Sequence, residues 1–268
     1  MPELPDVEAM RRYLEATSLH QEIEGVEVRS AQMLQCTGDE ELEDELVGRS
    51  FASTRRYGKY LFVSLDGGEE GAFLVLHFGM TGGLKYFKGM DEDPEYDRVL
   101  FKFANGYQLA YYAMRKLGRV DVIDDVEEFV RRKDLGPDAL DSDFDLAAFK
   151  ELVEGRRVMA KALLMDQGTI AGIGNVYADE ILFRARVHPR TKMSSLDEET
   201  REALFHAMKG VLQTAVDCQA KPARLPDTFI RTHRHDEGRC PRCGTELETV
   251  KVSSRTAYFC PVCQVKRP

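Results

Sequence analysis

Two Cys-x-x-Cys pairs near the carboxyl end constrain the fold of this chain more than any other feature. The pairs are Cys240/Cys243 and Cys260/Cys263, with 16 residues between them. Each pair can form a knuckle that offers two thiolates to one tetrahedral ion, and the spacing matches the four-cysteine zinc pattern. Because four thiolates leave no position open for water, we expect one structural Zn²⁺ rather than a catalytic one. The alternative, a pair of redox dithiols, lacks the βαβ context typical of such motifs.

The first half of the chain has the pattern of an antiparallel β-protein. Runs of β-branched and aromatic residues recur between 21 and 124, which predicts five or more strands. Asn105-Gly106 lies between two of these runs and predicts a type I′ hairpin turn. Before the strands, apolar residues between 6 and 18 have helical spacing. We therefore expect an N-terminal helix followed by a β-sandwich.

The pattern changes from strands to helices after residues 131–145, which contain Gly136-Pro137 and several aspartates and are expected to be a linker. Apolar spacing predicts helices from 146 to 218, and Ser195-Leu-Asp-Glu198 has the pattern of a capping box with Ser195 as the N-cap. The predicted protein is α+β and has four parts: an N-terminal β-sandwich with its helix (1–130), the linker (131–145), a helical domain (146–220) and a four-cysteine zinc hairpin (221–268).

The charge of the chain is unevenly distributed. The net charge is −9, which taken alone argues mildly against nucleic-acid binding. Residues 221–268 nevertheless hold ten Lys/Arg and five acidic residues, so this segment carries +5 and the remainder carries −14. An acidic body with a basic tail is compatible with a local site for a polyanion.

The expected compartment is the cytoplasm. No apolar run approaches the roughly 20 residues that span a bilayer, and the first residues, MPELPDVEAMRRYLE, lack the basic and apolar regions of a secretory signal. Cysteines in that compartment seldom form disulfides. We therefore expect Cys36 and Cys218, which fall outside the zinc pattern, to be small buried apolar side chains.

Three features have the chemistry of a phosphate contact. A segment with three glycines, Gln167–Gly174, precedes a helix whose N-cap is expected at Asn175, and the N–H groups at a helix start bind anions. Arg255 lies between the two cysteine knuckles, where a zinc-pinned hairpin would hold it stiffly. Lys59 lies in a basic loop that enters an apolar strand. Each feature also has a purely structural explanation. The glycine segment and Asn175 could form an ordinary helix cap and turn, Arg255 could be a solvated surface arginine, and Lys59 could be a lysine at a strand edge.

Pro2 and Glu3 are the candidate catalytic pair. With the initiator methionine removed, Pro2 would present a secondary amine that can form an iminium ion with an aldehyde. An α-amine has a pKa of about 8, so a sizeable fraction is neutral near pH 7. Glu3 is adjacent and in reach to move protons. The alternative is an ordinary Met-Pro start, and Met1 would block the amine if it were retained.

Six motifs occur in order along nearly the whole chain. They are MPELPDVE (1–8), RRYGKYL (55–61), LHFGMTGGL (76–84), LGPDAL (135–140), MDQGTIAGIGNVYADEILFRARVHP (165–189) and SSRTAYFCPVCQ (253–264). Together they resemble the formamidopyrimidine-DNA glycosylase/endonuclease VIII family of bifunctional DNA repair enzymes. The start MPELP and the segment LGPDAL are more similar to the formamidopyrimidine branch.

The resemblance implies a chemistry, a substrate and a partner. Pro2 would attack C1′ of the damaged nucleotide and form a Schiff base, and Glu3 would be the acid/base. The lesion base would be flipped out of the stack and excised, and the abasic site cleaved by elimination. Formamidopyrimidines would be the substrates, with 8-oxoguanine and oxidised pyrimidines as further candidates. The partner would be double-stranded DNA, bound by a monomer that needs only its zinc and, in a prokaryote, associates with the nucleoid.

The resemblance also implies which residues hold the DNA. Lys59 and Lys161 would hold phosphates at the lesion, and Asn175 and Arg255 would clamp the backbone from a helix–two-turns–helix element and the zinc hairpin. The wedge residues would fill the gap left by the flipped base. They are Met80, expected at the end of a strand, Arg115 and Leu117.

Two departures from the formamidopyrimidine branch bear on which lesions are processed. Leu117 stands where that branch usually has phenylalanine, which lowers stacking on the opposite base. Asp217–Thr228, before the zinc segment, has two prolines and no glycine, whereas the branch usually has a glycine-rich lid over 8-oxoguanine. A lid needs hinges, so capture of 8-oxoguanine is expected to be inefficient.

Two other function classes compete with a repair enzyme. A non-catalytic binder of damaged or single-stranded DNA could use the same scaffold, and a retained Met1 would favour it. A zinc-ribbon transcription factor is disfavoured because the ribbon covers less than a fifth of the chain.

Overall fold

The computed structural model describes residues 1–35, 38–66, 71–89 and 92–266. It divides the chain into two compact units, Met1–Lys133 and Asp134–Pro268. Cys36 lies outside the described residues, and the finer four-part division stays a prediction. No helix in the described ranges is both long and apolar enough to cross a bilayer.

The N-terminal unit is a β-sandwich preceded by a helix, as predicted. One sheet has the strand order β1-β6-β7-β5 and the other β2-β3-β4-β8. The helices are α1 (Leu4–Thr17), α2 (Asp39–Leu46) and α3 (Val126–Arg132), and the strands are β1 (Ile23–Val28), β2 (Phe51–Tyr57), β3 (Tyr60–Leu65), β4 (Phe73–His77), β5 (Gly82–Phe87), β6 (Asp97–Phe103), β7 (Gln108–Ala113) and β8 (Arg119–Ile123).

Alternating apolar residues of the two sheets form the core of this unit. Leu61 and Val63 of β3 belong to the same buried cluster as Phe101 of β6 and Tyr111 of β7. Alternation puts these side chains on one face of each strand, so both sheets have an apolar inner face. Burial of this surface, at roughly 25 cal/mol per Å², is the main force that holds the sandwich together.

The β6–β7 hairpin forms where Asn105-Gly106 predicts it, but its turn is not type I′. Gly106 has φ +77°, whereas Asn105 is not among the residues with positive φ. The Gly106 N–H donates to the Phe103 carbonyl at 2.9 Å, and the Phe103 N–H donates to the Tyr107 carbonyl at 3.0 Å. This is the three-residue loop that ends in a left-handed glycine. The Asn105 side chain instead accepts from the Tyr107 N–H at 2.9 Å, which stabilises the loop.

The C-terminal unit packs helices around α6 and α7 and ends in a hairpin of two strands. The helices are α4 (Leu146–Val153), α5 (Ala160–Met165), α6 (Asn175–Arg184) and α7 (Glu198–Asp217), and the strands are β9 (Glu248–Val252) and β10 (Arg255–Phe259). The N-cap of α7 is Asp197, whose carboxylate accepts the Thr200 N–H at 2.9 Å. The prediction of Ser195 as the cap is therefore wrong, because Ser195 belongs to a preceding 3₁₀ turn.

Candidate active site and nucleic-acid contacts

The first turn of α1 holds the candidate catalytic pair in a defined place. The Glu3 N–H donates to Asp6 Oδ2 at 2.9 Å, and the Glu3 carbonyl accepts the Val7 N–H at 3.0 Å. Glu3 is only 1% exposed, Pro2 is half-buried and Met1 is exposed. The chain therefore presents Pro2 immediately before a rigid helix, with the Glu3 carboxyl removed from bulk water.

Lys59 lies in the two-residue turn between β2 and β3. Gly58 has φ +55°, as the first position of a type II′ turn requires. Lys59 itself is only 7% exposed. The turn leads directly into β3, as predicted, and the phosphate contact of Lys59 stays a prediction.

His77 adds a feature that sequence reasoning missed, although it lies in the motif LHFGMTGGL. Its ring lies 4.8 Å from the ring of Tyr60, the residue that follows Lys59. Burial, reinforced by the positive charges of Lys59 and Arg119, lowers the pKa of His77 to about 4. His77 is therefore neutral near pH 7, and the positive charge beside it comes from Lys59 and Arg119.

Two loops bring the predicted wedge residues together. Met80 lies in the turn after β4 rather than at the end of the strand, and Arg115 and Leu117 lie in the loop between β7 and β8. The Arg115 N–H donates to Thr81 Oγ1 at 3.1 Å. A Cβ on Gly79 would lie 2.5 Å from the main chain of Leu117, so only glycine allows the loops to approach this closely.

Two large apolar side chains are exposed in the loop between β7 and β8, next to the exposed Arg115. Leu117 is 50% exposed, and Met114, which sequence reasoning did not single out, is 58% exposed. Large apolar side chains at a loop tip can insert between base steps.

The glycine-rich segment forms a tight loop in front of α6. The Gln167 side chain organises it, because Nε2 donates to the carbonyls of Met165 at 2.9 Å and Ile173 at 2.8 Å. The N-cap of α6 is Gly174 and not Asn175, since Gly174 has the extended backbone of a cap and Asn175 is already helical. Asn175 Oδ1 is buried and accepts no hydrogen bond from the described residues.

The four predicted cysteines converge on one point in the C-terminal unit. All four Sγ atoms lie within 4.8 Å of one another. Cys240 and Cys263 are 3.9 Å apart, and Cys243 lies 3.5 Å from Cys260 and 3.6 Å from Cys263. Four sulfurs at 2.3 Å from a tetrahedral zinc would be about 3.8 Å apart. The cluster thus fits one structural zinc, as predicted.

Main-chain and side-chain contacts support this zinc site. The N–H groups of Arg242 and Cys263 point at Cys240 Sγ and Cys260 Sγ, both at 3.4 Å. The guanidinium of Arg242 lies over the ring of Phe183 in α6, 4.4 Å from its centroid. The zinc site is therefore fixed to α6, and its sulfurs accept the hydrogen bonds that thiolate ligands favour.

Arg255 lies at the tip of the β9–β10 hairpin. The two turn residues, Ser253 and Ser254, both have left-handed φ values, +46° and +62°, which is the type I′ geometry that matches strand twist. Arg255 is exposed, and its guanidinium makes no hydrogen bond or ion pair with any described residue. The tip therefore presents an available cation on a short hairpin.

Lys161 does not have the surface position that a phosphate contact would need. It is fully buried, and its Nζ lies 2.6 Å from Asp179 Oδ1 and 3.2 Å from the Thr256 carbonyl. Its charge is neutralised beneath the surface by a carboxylate that is also buried. Sequence reasoning missed Asp179, because an acidic residue in a helix gives no local sign of burial.

Three family models match most of the chain. Residues 1–120 match the family model of the formamidopyrimidine-DNA glycosylase N-terminal domain, 135–226 match that of the H2TH domain of the same enzymes, and 238–265 match a zinc finger found in FPG and IleRS.

Relatives of similar length share about a third of the residues. Formamidopyrimidine-DNA glycosylase of Pelotomaculum thermopropionicum is 33% identical, with 98% of this chain and 99% of the relative covered. The enzyme of Lactococcus lactis subsp. cremoris is 34% identical, with 99% and 100% covered.

Solved structures of the Lactococcus lactis enzyme are similar over the same length. Its complex with DNA that contains an abasic site has a TM-score of 0.89 at 32% identity, and covers 98% of this chain and 100% of that one. Its complex with DNA that contains Fapy-dG has a TM-score of 0.88 at 32% identity, with the same coverage.

Proposed function

This chain belongs to the formamidopyrimidine-DNA glycosylase family, and from that premise we propose that it excises oxidised bases from duplex DNA and cleaves the abasic site that remains. The observation that carries the proposal is the start of α1, where Pro2 precedes a rigid helix and the adjacent Glu3 carboxyl is almost fully buried. A nucleophile and a proton-transfer group are thus neighbours on one fixed support. Since the substrate is chromosomal DNA, the protein works at the nucleoid in a prokaryotic cell.

The chemistry begins with removal of Met1, which exposes the secondary amine of Pro2. The amine lone pair attacks C1′ of the flipped nucleotide, the glycosidic bond breaks, and the base leaves with a proton. Opening of the sugar ring converts the adduct to an iminium ion, and Glu3 transfers the protons that these steps require. Loss of a C2′ proton then expels the 3′ phosphate, and hydrolysis of the iminium returns the amine.

Two cations and one amide are proposed to hold the DNA backbone. Lys59, Asn175 and Arg255 would contact phosphates, since each offers a donor on a short turn, a helix start or a hairpin tip. Met80, Arg115 and Leu117 would occupy the space of the flipped base, because their two loops meet through Gly79.

The Asp217–Thr228 segment supports a preference among lesions. Two consecutive residues, Gln219 and Ala220, have left-handed φ values of +56° and +54°, and a 3₁₀ turn follows at Pro222–Arg224. The Arg224 guanidinium donates to Gln219 Oε1 at 2.7 Å, which closes the segment on itself. A compact turn of this kind makes a poor lid, so we propose that lesions which unpair easily are processed faster than 8-oxoguanine paired with cytosine.

The test separates glycosidic cleavage from reaction at a site that is already abasic. Glycosidic cleavage needs more proton transfer, so Glu3→Gln is expected to abolish release of a formamidopyrimidine base. It should retain part of the Schiff-base formation on abasic DNA. Glu24→Gln, a change of the same kind at an exposed position of β1, is the matched control and should keep both activities. Equal loss of both activities in Glu3→Gln would contradict the assigned role and indicate that Glu3 chiefly positions the N-terminus.

A further inference from the structure

A single buried carboxylate joins three segments of the C-terminal unit. Asp179, in α6, is fully buried, and its Oδ1 accepts from Lys161 Nζ of α5 at 2.6 Å. Its Oδ2 accepts from Arg234 Nη2 at 2.9 Å and from the Tyr258 N–H of β10 at 3.1 Å. The helix pair, the segment before the cysteines and the zinc hairpin therefore meet at one side chain.

Two hydrogen bonds from Lys161 and Asp179 hold the backbone of β10. Lys161 Nζ donates to the Thr256 carbonyl at 3.2 Å, and Asp179 accepts from the N–H of Tyr258. Ala257, between them, is fully buried. The strand is thus held one and three residues after Arg255, whose guanidinium is exposed at the hairpin tip.

The same helix carries another proposed phosphate contact. Asn175 and Asp179 are four residues apart in α6, so they lie on one face, one turn from each other. Docking β10 on Asp179 therefore sets the spacing between Arg255 and Asn175. An isolated two-stranded hairpin is marginally stable, and its turn here is built from two left-handed serines. The cysteine cluster lies at the other end of the hairpin, and Arg190 Nη2 donates to the Lys251 carbonyl of β9 at 3.1 Å. On β10, the contacts of Lys161 and Asp179 are the ones nearest the tip.

We propose that the Asp179–Lys161 pair is a positioning element that holds Arg255 where it meets a DNA phosphate. The inference rests on the proposed phosphate contact of Arg255. It gives Lys161 an indirect role in place of a direct phosphate contact. Buried ion pairs are expensive to desolvate, and their best-attested use is to specify one arrangement of parts. In this protein the ion pair would specify how the β9–β10 hairpin packs on α6.

The measurement is the salt dependence of binding to a duplex that carries a stable tetrahydrofuran abasic analogue. Each phosphate contact contributes about 0.9 to the slope of log Kobs against log salt concentration. Arg255→Ala should lower the slope by about 0.9. Asp179→Asn keeps the volume but loses the charge, so it should lower the slope similarly, and the double variant should lose no more than either single one. Glu151→Gln, at an exposed position of α4, is the control and should leave the slope unchanged.

A second variant keeps the inference testable if Asp179→Asn does not fold. Lys161→Met leaves Asp179 paired with Arg234 and removes the donor that Lys161 offers to both Asp179 Oδ1 and the Thr256 carbonyl. If Lys161 acts through Arg255, the double variant Lys161→Met/Arg255→Ala loses about 0.9 in slope. If Lys161 itself binds a phosphate, the two losses add to about 1.8, which overturns the proposal.

The outcomes also separate this inference from the proposed function. An unchanged slope in Arg255→Ala would show that Arg255 makes no phosphate contact, and the premise would fail. A lower slope in Arg255→Ala with unchanged slopes in Asp179→Asn and Lys161→Met would leave that contact standing and refute the positioning role.

Discussion

Gly79→Ala tests whether the two wedge loops must touch. Gly79 has φ +57°, where an alanine costs about 1–2 kcal/mol. The added Cβ would also lie 2.5 Å from Gly118 N and from the Leu117 carbonyl carbon, whereas ordinary contact begins at 3.4 Å. The loops would have to separate by about 0.9 Å, and overpacking of this kind costs about 1–3 kcal/mol. The expected loss in the free energy of unfolding is therefore about 2–5 kcal/mol.

Gly48→Ala is the matched control. Gly48 has φ +78°, and a Cβ added there would meet no described atom within 4 Å. Its free energy of unfolding should fall only by the cost of placing alanine at a left-handed φ, about 1–2 kcal/mol. Urea unfolding followed by tyrosine fluorescence reports mainly on the N-terminal unit, because eight of the ten tyrosines lie in it and the chain has no tryptophan.

The same pair of variants connects the packing to the reaction. Single-turnover release of a paired lesion base should be at least ten-fold slower in Gly79→Ala, since Met80 and Leu117 no longer act at one place. Gly48→Ala should release the base at the wild-type rate. If the free energies of unfolding of Gly79→Ala and Gly48→Ala differ by less than about 0.5 kcal/mol, the claim that the two wedge loops touch at Gly79 is refuted.

Three further predictions concern the metal, the lesion and pH. Cys243→Ser should lose zinc and bind DNA more weakly while the N-terminal unit stays folded, because metal binding supplies folding energy only to the hairpin. A Cys243→Ser protein that holds one zinc per chain and binds DNA fully would refute this. Single-turnover rates on formamidopyrimidines should exceed those on 8-oxoguanine opposite cytosine by at least ten-fold, a barrier difference of about 1.4 kcal/mol, and comparable rates would contradict it. Burial raises the pKa of Glu180 from 4.5 to about 7, so between these pH values the native state binds a proton that the unfolded state has lost. The free energy of unfolding should therefore fall by up to about 3 kcal/mol as the pH rises from 4.5 to 7. Urea titrations at several pH values should show this fall in the wild type and not in Glu180→Gln.

Features set by local spacing could be predicted from the sequence. The cysteine spacing alone encodes the zinc knuckles, and their four sulfurs meet as expected. Runs of β-branched and aromatic residues predicted the sandwich, because the strand preference of these residues is local and needs no knowledge of the partner sheet. The resemblance also named Met80, Arg115 and Leu117, whose wedge role stays a prediction, although it could not show that Gly79 brings their two loops together.

Features set by distant contacts could not be predicted. Ser195 and Asp197 are both good N-caps, and the choice of Asp197 depends on how the preceding turn packs, with Leu196 buried. Lys161 has a basic side chain in a short helix, which gives no sign that it is buried. Its partners, Asp179 and Thr256, are 18 and 95 residues away, so no local pattern connects them.

Borohydride trapping on abasic-site DNA tests the central claim most directly. A secondary amine condensed with the C1′ aldehyde gives an iminium ion, which borohydride reduces to a stable adduct. Peptide mapping of the cross-linked protein by mass spectrometry should place the adduct on Pro2, at an N-terminus without Met1. A cross-link on a lysine such as Lys59, or none from protein that is active on the same DNA, would contradict the account.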